Sequence, residues 1–304
     1  MKISREHTRA LAEISFVTFL WSISKILIKI GLGEISPLAF AAYRYTIASS
    51  ILALVVVCRY GIDAATINRR QVLVFLLLGF TGYFVAPALQ FLGLYYLDVV
   101  TVTFVLDLTR FLVLILSVLF LKEIPSFIQL VGIALALAGV LAFFHGSIVV
   151  SEGITGLFAA FFSGVGLAAF TVLSRHYLRG YRGNVVSLTV CSMALGSMML
   201  LGATVLTQNV MAISLNGWII VLWLGVVNTA LAYVLWNHAL KVLKAYEHSI
   251  VQNTMLVQTA LLAYVFLNES LTPYKILGIV LVFVGVLVVQ LRPLMSGPSP
   301  PGIP

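Results

Sequence analysis

The chain has 304 residues, of which 61% are hydrophobic and 9% charged, and its mean hydropathy is +1.10. Soluble domains average about 45–50% apolar and about 25% charged residues. So few charged side chains could not cover the surface of a soluble protein of this size. The composition therefore excludes a soluble enzyme, a nucleic-acid-binding domain and a disordered chain, and it leaves a polytopic membrane protein. The formal net charge of +8 indicates basic loops at an anionic membrane surface.

Ten apolar segments follow one another along the chain, separated by short breaks that carry Gly, Pro or charged residues. They cover residues 10–31, 37–57, 71–95, 98–121, 125–145, 153–175, 184–207, 215–239, 246–267 and 273–291. A helix needs roughly 20 apolar residues to cross a bilayer, and these runs lack the alternation of membrane strands. We therefore predict an all-α protein with ten transmembrane helices. The tail at 293–304 is rich in Pro, Gly and Ser and is predicted to be disordered.

Lysine and arginine are distributed unevenly between the two sides of this predicted bundle. With the N-terminus inside, thirteen lie on the cytoplasmic side and three at or near the outer side. The inner set is Lys2, Arg5, Arg9, Arg59, Arg69, Arg70, Lys122, Arg175, Arg179, Arg182, Lys241, Lys244 and Arg292, and the outer set is Lys25, Lys29 and Lys275. Cytoplasmic loops carry an excess of these residues. We therefore predict a multi-pass protein of the cell membrane with both termini in the cytoplasm.

An internal repeat divides the chain into two halves. A shift of 146 residues places residues 79–141 on 225–287 without a gap, and 16 of the 63 aligned pairs are identical. We predict two repeats, at residues 10–145 and 153–291. Each repeat holds five spans, so the second enters the membrane from the opposite side. Inverted repeats with a binding site between them are typical of secondary transporters.

Short motifs recur in a fixed order along both halves. They are Leu20-Trp21-Ser22, Lys29, Ser36-Pro37, Arg44 and Leu121-Lys122-Glu123, then Tyr233, Trp236-Asn237, Leu267-Asn268-Glu269, Gly278 and Gly285. Together they resemble the drug/metabolite transporter superfamily, and in particular permeases with two EamA domains, over residues 10–292. Family members often carry prolines in helices four and nine, near positions where this chain has Arg110 and Leu256.

The resemblance implies a secondary transporter, and not an enzyme, that exports small metabolites such as amino acids by alternating access. The sequence contains no ATP-binding motif, so the driving force would be a proton gradient or a counter-substrate. The expected partners are a small-molecule substrate and the lipid bilayer, without nucleic acid, cofactor or metal. The protein is expected to be a monomer or a homodimer.

Two alternative functions stay open at this point. An exchanger of nucleotide sugars or phosphorylated metabolites would bind anions through Lys25, Lys29, Arg44 and Arg110. An integral membrane enzyme would need converging nucleophiles or metal ligands, and the five histidines do not show such spacing.

Asp107 is an acidic residue deep within a predicted span, and ionisable groups at such depth are costly and usually functional. It lies about nine residues into its helix, roughly 13 Å by helical rise. Arg110 follows at i+3, within reach on the same face. As a binding site, Asp107 would hold an amine or a proton and Arg110 a carboxylate. As a structural pair, the two charges would neutralise each other.

Arg44 and Lys25 are further cations within predicted spans. Arg44 could pair with Asp107 or Glu34, or bind an anionic substrate. Lys25 is the deeper of two lysines on one helix face. Lys29 lies one turn nearer the helix end, from which it could extend to solvent.

Amide and aromatic side chains complete the set of candidate substrate-binding residues. Asn228, Asn237 and Asn253 place amides in helices eight and nine, and Asn253 is the repeat equivalent of Asp107. Interhelical hydrogen bonding is the structural alternative for these amides. Tyr83 and Trp236 could stack against an aromatic or cationic ligand, or they could pack between helices.

Overall fold

The computed structural model describes residues 5–60, 69–108, 127–145, 151–180, 185–207, 213–243 and 245–290, and their regular structure is helical. The elements are α1 (Arg5–Gly31), α2 (Pro37–Tyr60), α3 (Arg69–Leu78), π1 (Gly79–Val85), α4 (Ala86–Tyr96), α5 (Val99–Leu108), α6 (Phe127–Phe143), α7 (Ser151–Gly180), α8 (Val185–Leu206), α9 (Leu215–Gly225), π2 (Val226–Leu231), α10 (Ala232–Val242), α11 (Ala245–Leu267) and α12 (Pro273–Gln290). The predicted tail at 293–304 lies outside these residues.

The helices are those of a polytopic membrane protein. In the described part of the chain, six helices are long and apolar enough to cross a bilayer, and four shorter apolar helices accompany them. Large apolar side chains lie on the outer surface of the bundle. Leu206 is 85% exposed, Phe127 79% and Leu141 76%. A surface this apolar is unfavourable in water and favourable against lipid.

The third and eighth apolar segments are interrupted by π-helical turns. The sequence predicts a kink at Pro87, and π1 ends two residues before this proline. Proline lacks an amide hydrogen and its ring clashes with the carbonyl of residue i−4, so a wider turn relieves the clash. The second turn, π2, has no proline and lies at the repeat-equivalent position. Turns of this kind often occur at functional sites.

Glycines let α6 and α12 cross closely. A Cβ added to Gly278 would lie 2.7 Å from the carbonyl oxygen of Gly139, and one added to Gly285 would lie 2.6 Å from that of Gly132. Both distances are shorter than real Cβ contacts, so a side chain at either position would push the helices apart. The order of the two contacts means that α6 and α12 run antiparallel.

Gly278→Ala should destabilise the protein, whereas Gly202→Ala should not. The first change overpacks the crossing of α6 and α12, which typically costs about 1–3 kcal/mol. Gly202 lies in α8 with no atom within 4 Å of an added Cβ, so alanine there should be neutral or stabilising. Thermal unfolding of the two purified variants in detergent measures the difference. Equal melting temperatures would contradict a close crossing.

Candidate functional site

Arg44 of α2 is the centre of a polar site inside the bundle. The residue is 6% exposed. Its Nε donates a hydrogen bond to the Thr229 hydroxyl of π2 at 2.9 Å, and its Nη1 donates to the Ser24 hydroxyl of α1, also at 2.9 Å. The guanidinium carbon lies 5.6 Å from the centroid of the Tyr45 ring. Within the described residues, the hydrogen-bond partners of this buried cation are neutral hydroxyls, an arrangement suited to binding an anionic group.

Asn228 lies beside Thr229 in π2 and is fully buried. Its Nδ2 donates to the carbonyl oxygen of Leu20, and its backbone carbonyl oxygen accepts from Trp21 Nε1 at 3.1 Å. Its Oδ1 is buried and has no hydrogen-bond donor among the described residues. Leaving a buried acceptor unsatisfied costs about 1–3 kcal/mol. This oxygen is therefore a candidate acceptor for an amine or hydroxyl of a substrate.

An aromatic cluster adjoins the Arg44 site and draws on α1, α2, π1 and α10. The Tyr233 ring lies 5.8 Å from Trp21 and 6.3 Å from Trp236, measured between centroids. The Tyr83 ring lies 6.2 Å from both Tyr45 and Tyr233. Tyr83 is 2% exposed, so the cluster is an interior feature at this point and not a membrane-interface belt.

Of the other sequence-predicted residues, three are buried and two lie outside the described residues. Asp107 of α5 is 4% exposed, Lys25 of α1 is 5% exposed and Asn253 of α11 is 1% exposed. Arg110 and the side chain of Asn237 lie outside the described residues. The roles of all five remain predictions.

Lys29 and Glu34 bind backbone and hydroxyl groups at the ends of neighbouring helices. Lys29 is half-buried, and its Nζ donates to the carbonyl oxygens of Leu94 at 2.6 Å and Leu97 at 2.8 Å, at the end of α4. A cation is stabilised there by the free carbonyls and the helix dipole. Glu34 does not pair with Arg44. Its carboxylate accepts bonds from the Ser214 amide and hydroxyl at the start of α9.

Ser24 and Thr229 were not among the sequence-predicted site residues. A lone Ser or Thr in an apolar span usually bonds to a carbonyl of its own helix, so neither position stood out. The one indication in the sequence that they belong to the site is that each directly adjoins a predicted site residue, Ser24 beside Lys25 and Thr229 beside Asn228.

Comparisons with known proteins agree with this architecture. The model of the EamA-like transporter family matches twice, at residues 11–144 and 154–291. A transporter of Bacillus subtilis named YyaM and described as uncharacterized is 28% identical over 268 residues, 86% of this chain and 87% of its own length. A solved crystal structure superposes with a TM-score of 0.68 at 18% identity, covering 93% of this chain and 97% of that one, which supports the fold.

Two further relatives have more informative names. A probable amino-acid metabolite efflux pump of Salmonella typhimurium is 27% identical over 284 residues, 88% of this chain and 90% of its own length. An S-adenosylmethionine/S-adenosylhomocysteine transporter of Chlamydia trachomatis is 27% identical over 136 residues, 44% of this chain and 41% of its own. The two family matches together span most of the sequence. The chain therefore belongs to the EamA-like transporter family.

Proposed function

We propose that the protein is a ten-helix secondary transporter that exports small zwitterionic metabolites such as amino acids by alternating access. Its two five-helix repeats are inverted, and both termini lie in the cytoplasm. The observation that carries the proposal is the buried Arg44, whose hydrogen bonds go to neutral hydroxyls. A substrate carboxylate would neutralise that charge, and the adjacent aromatic cluster would contact the rest of the molecule. The named efflux pump relative supports this substrate class.

The glycine contacts between α6 and α12 support the inverted arrangement. Gly139 meets Gly278, and Gly132 meets Gly285. A shift of 146 residues converts each pair into the other, as expected for two repeats related by a two-fold axis. The π turns also fall at nearly equivalent positions in the two halves. Such an arrangement permits one repeat to rock against the other around a central site.

The alternative of an anion exchanger is weakened by the position of Lys29. An exchanger of nucleotide sugars or phosphorylated metabolites would use Lys25, Lys29, Arg44 and Arg110 as a cationic cluster. Lys29 is bound to backbone carbonyls at the end of α4 and is not directed at Arg44. A divalent phosphate would thus lose one of its four expected cations.

Counterflow in proteoliposomes tests the proposal. Purified protein is reconstituted with a trapped mixture of unlabelled amino acids, and uptake of labelled amino acids is measured without an imposed gradient. We expect exchange that is absent from empty liposomes and from liposomes with Arg44→Gln protein. Exchange of labelled nucleotide sugars, and not of amino acids, would establish the alternative. An absence of both would overturn the proposed substrate class.

A further inference from the structure

Four charged side chains meet at one end of the bundle, which we call the Lys29 end. Lys29 binds the carbonyls that terminate α4, and Asp98 directly follows Leu97, which supplies one of these carbonyls. Lys275 Nζ donates to Asp98 Oδ2 at 2.7 Å. Glu269 in the loop between α11 and α12 directs its carboxylate at the start of α5, and the charges of Asp98 and Lys275 act on it.

This cluster joins the two halves of the chain through the first turn of α5. Glu269 Oε1 accepts from the Val99 amide at 2.7 Å, and Oε2 accepts from the Val100 amide at 3.1 Å. The next amide, that of Thr101, donates to Asp98 at 2.7 Å. The first amide groups of a helix have no partner within the helix, and an anion there is favoured by the helix dipole. A residue of the second half therefore completes a helix of the first.

The helix that Glu269 caps is the one that carries Asp107. Thr103 and Asp107 are one turn apart on the same face of α5, and both are buried. Movement of the two halves apart at the Lys29 end would break the bonds of Glu269 to α5 and the ion pair of Lys275 with Asp98. We expect the same movement to expose Thr103, which is fully buried about one turn into α5.

We propose that the Glu269 cluster is the latch that closes the Lys29 end, and that Glu269 is a positioning residue for α5 in the closed state. The inference rests on the proposed function, because alternating access requires this end to open and close. Glu269 acts through the backbone of α5 and does not itself touch the substrate site. Both contacts that this cluster makes between the halves, the α5 cap and the ion pair, have to be released before the end can open.

The latch should respond to pH. Burial raises the pKa of Glu269 above its usual value, although the Val99 and Val100 amides and Lys275 act in the opposite direction. Lys29 and Asp98 also face this carboxyl, and the ring of His145, just after α6, lies 4.5 Å from the ring of Tyr274 on α12.

The direction follows from linkage between proton binding and closure. If the carboxyl is exposed in the open state, its pKa there is near the usual value, so protons bind more tightly to the closed state. A falling pH therefore favours closure, and a rising pH through the raised pKa favours opening. The protonated carboxyl still accepts an amide hydrogen bond and avoids the cost of burying a charge.

Thiol labelling of Thr103→Cys tests the latch without any substrate. The two native cysteines are first replaced, as Cys58→Ser and Cys191→Ala. Maleimide labelling of purified protein in detergent then reports how often the Lys29 end opens. Glu269→Ala should raise the labelling rate about tenfold, since it removes two charge-assisted hydrogen bonds. Lys275→Gln should also raise the labelling rate, because it removes the ion pair with Asp98. This second variant tests the latch if Glu269→Ala does not fold.

Glu269→Gln separates a latch from a merely structural cap. Glutamine resembles the protonated carboxyl, so this variant should stay closed at every pH. The wild-type labelling rate divided by the Glu269→Gln rate cancels the pH dependence of the thiol, and this ratio should rise with pH. Glu6→Gln is the control, because Glu6 is an exposed acidic residue in the first turn of α1, at the opposite end of that helix from Lys29. It should leave the ratio unchanged.

The labelling outcomes are read separately from the transport assay. A flat pH ratio, or unchanged labelling in both Glu269→Ala and Lys275→Gln, would overturn the latch even if amino-acid exchange is observed. Faster labelling in these variants, with no exchange of amino acids, would support the latch and contradict the proposed substrate instead.

Discussion

Replacing Arg44 with glutamine should weaken substrate binding about 100-fold and reduce transport to the level of empty liposomes. The guanidinium is the buried cation whose hydrogen bonds within the described residues go to the Ser24 and Thr229 hydroxyls. A charge-assisted hydrogen bond contributes about 1.5–3 kcal/mol, and each 1.4 kcal/mol corresponds to a factor of ten in affinity. Glutamine retains a donor but neither the charge nor the forked geometry that matches a carboxylate.

Binding is measured by isothermal titration of purified protein with amino acids, and transport by counterflow. Arg44→Lys is the intermediate case, because it keeps the charge and loses the fork. Ser24→Ala is the matched control at the same site. It removes one neutral hydrogen bond to the guanidinium and should weaken binding by less than Arg44→Gln.

The stability of the Arg44→Gln variant discriminates a binding role from a structural one. Removing a buried charge whose hydrogen-bond partners are hydroxyls leaves no orphaned carboxylate there, so the melting temperature should be unchanged or higher. A large fall in melting temperature, with binding retained in the folded fraction, would assign Arg44 to the scaffold and move the substrate site elsewhere.

Asp107→Asn should abolish or uncouple transport while the protein remains folded. The carboxyl group is buried on α5. Burying an ionisable group at this depth in the membrane costs free energy, so such groups usually have a function. Asparagine keeps the size of the side chain and cannot carry a proton or a negative charge. Counterflow and proton-driven uptake are both measured, with size-exclusion profiles as the check on folding. Glu6→Gln, at the exposed start of α1, is the control for loss of an acidic group.

The double variant Asp107→Asn/Arg110→Gln distinguishes a functional carboxyl from one half of a structural ion pair. Breaking a buried pair on one side can cost about 3–5 kcal/mol, and removing both charges restores part of it. A structural pair would therefore be partly rescued in the double variant. A proton or substrate site would stay inactive. Wild-type transport by the double variant, with unchanged pH dependence, would contradict a functional role for Asp107.

The sequence by itself determined the class of protein and the limits of most helices. Apolar runs such as 37–57 and 215–239 had to become helices, because a backbone in lipid must satisfy its own hydrogen bonds. They correspond to α2 and to the continuous run α9–π2–α10. The order of motifs indicated the family that the family model then matched. The burial of Lys25, Arg44 and Asp107 was likewise expected from their depth in the spans.

Only the tertiary structure decided which groups these residues meet. The Thr229 hydroxyl that binds Arg44 is 185 positions away in the chain, and the amide that Glu269 binds at Val99 is 170 positions away. Hydropathy reports how deep a residue lies and not which face of its helix it occupies. The same limit applies to Lys29, because hydropathy does not show that the end of α4 lies beside this lysine and supplies the carbonyl oxygens that it binds.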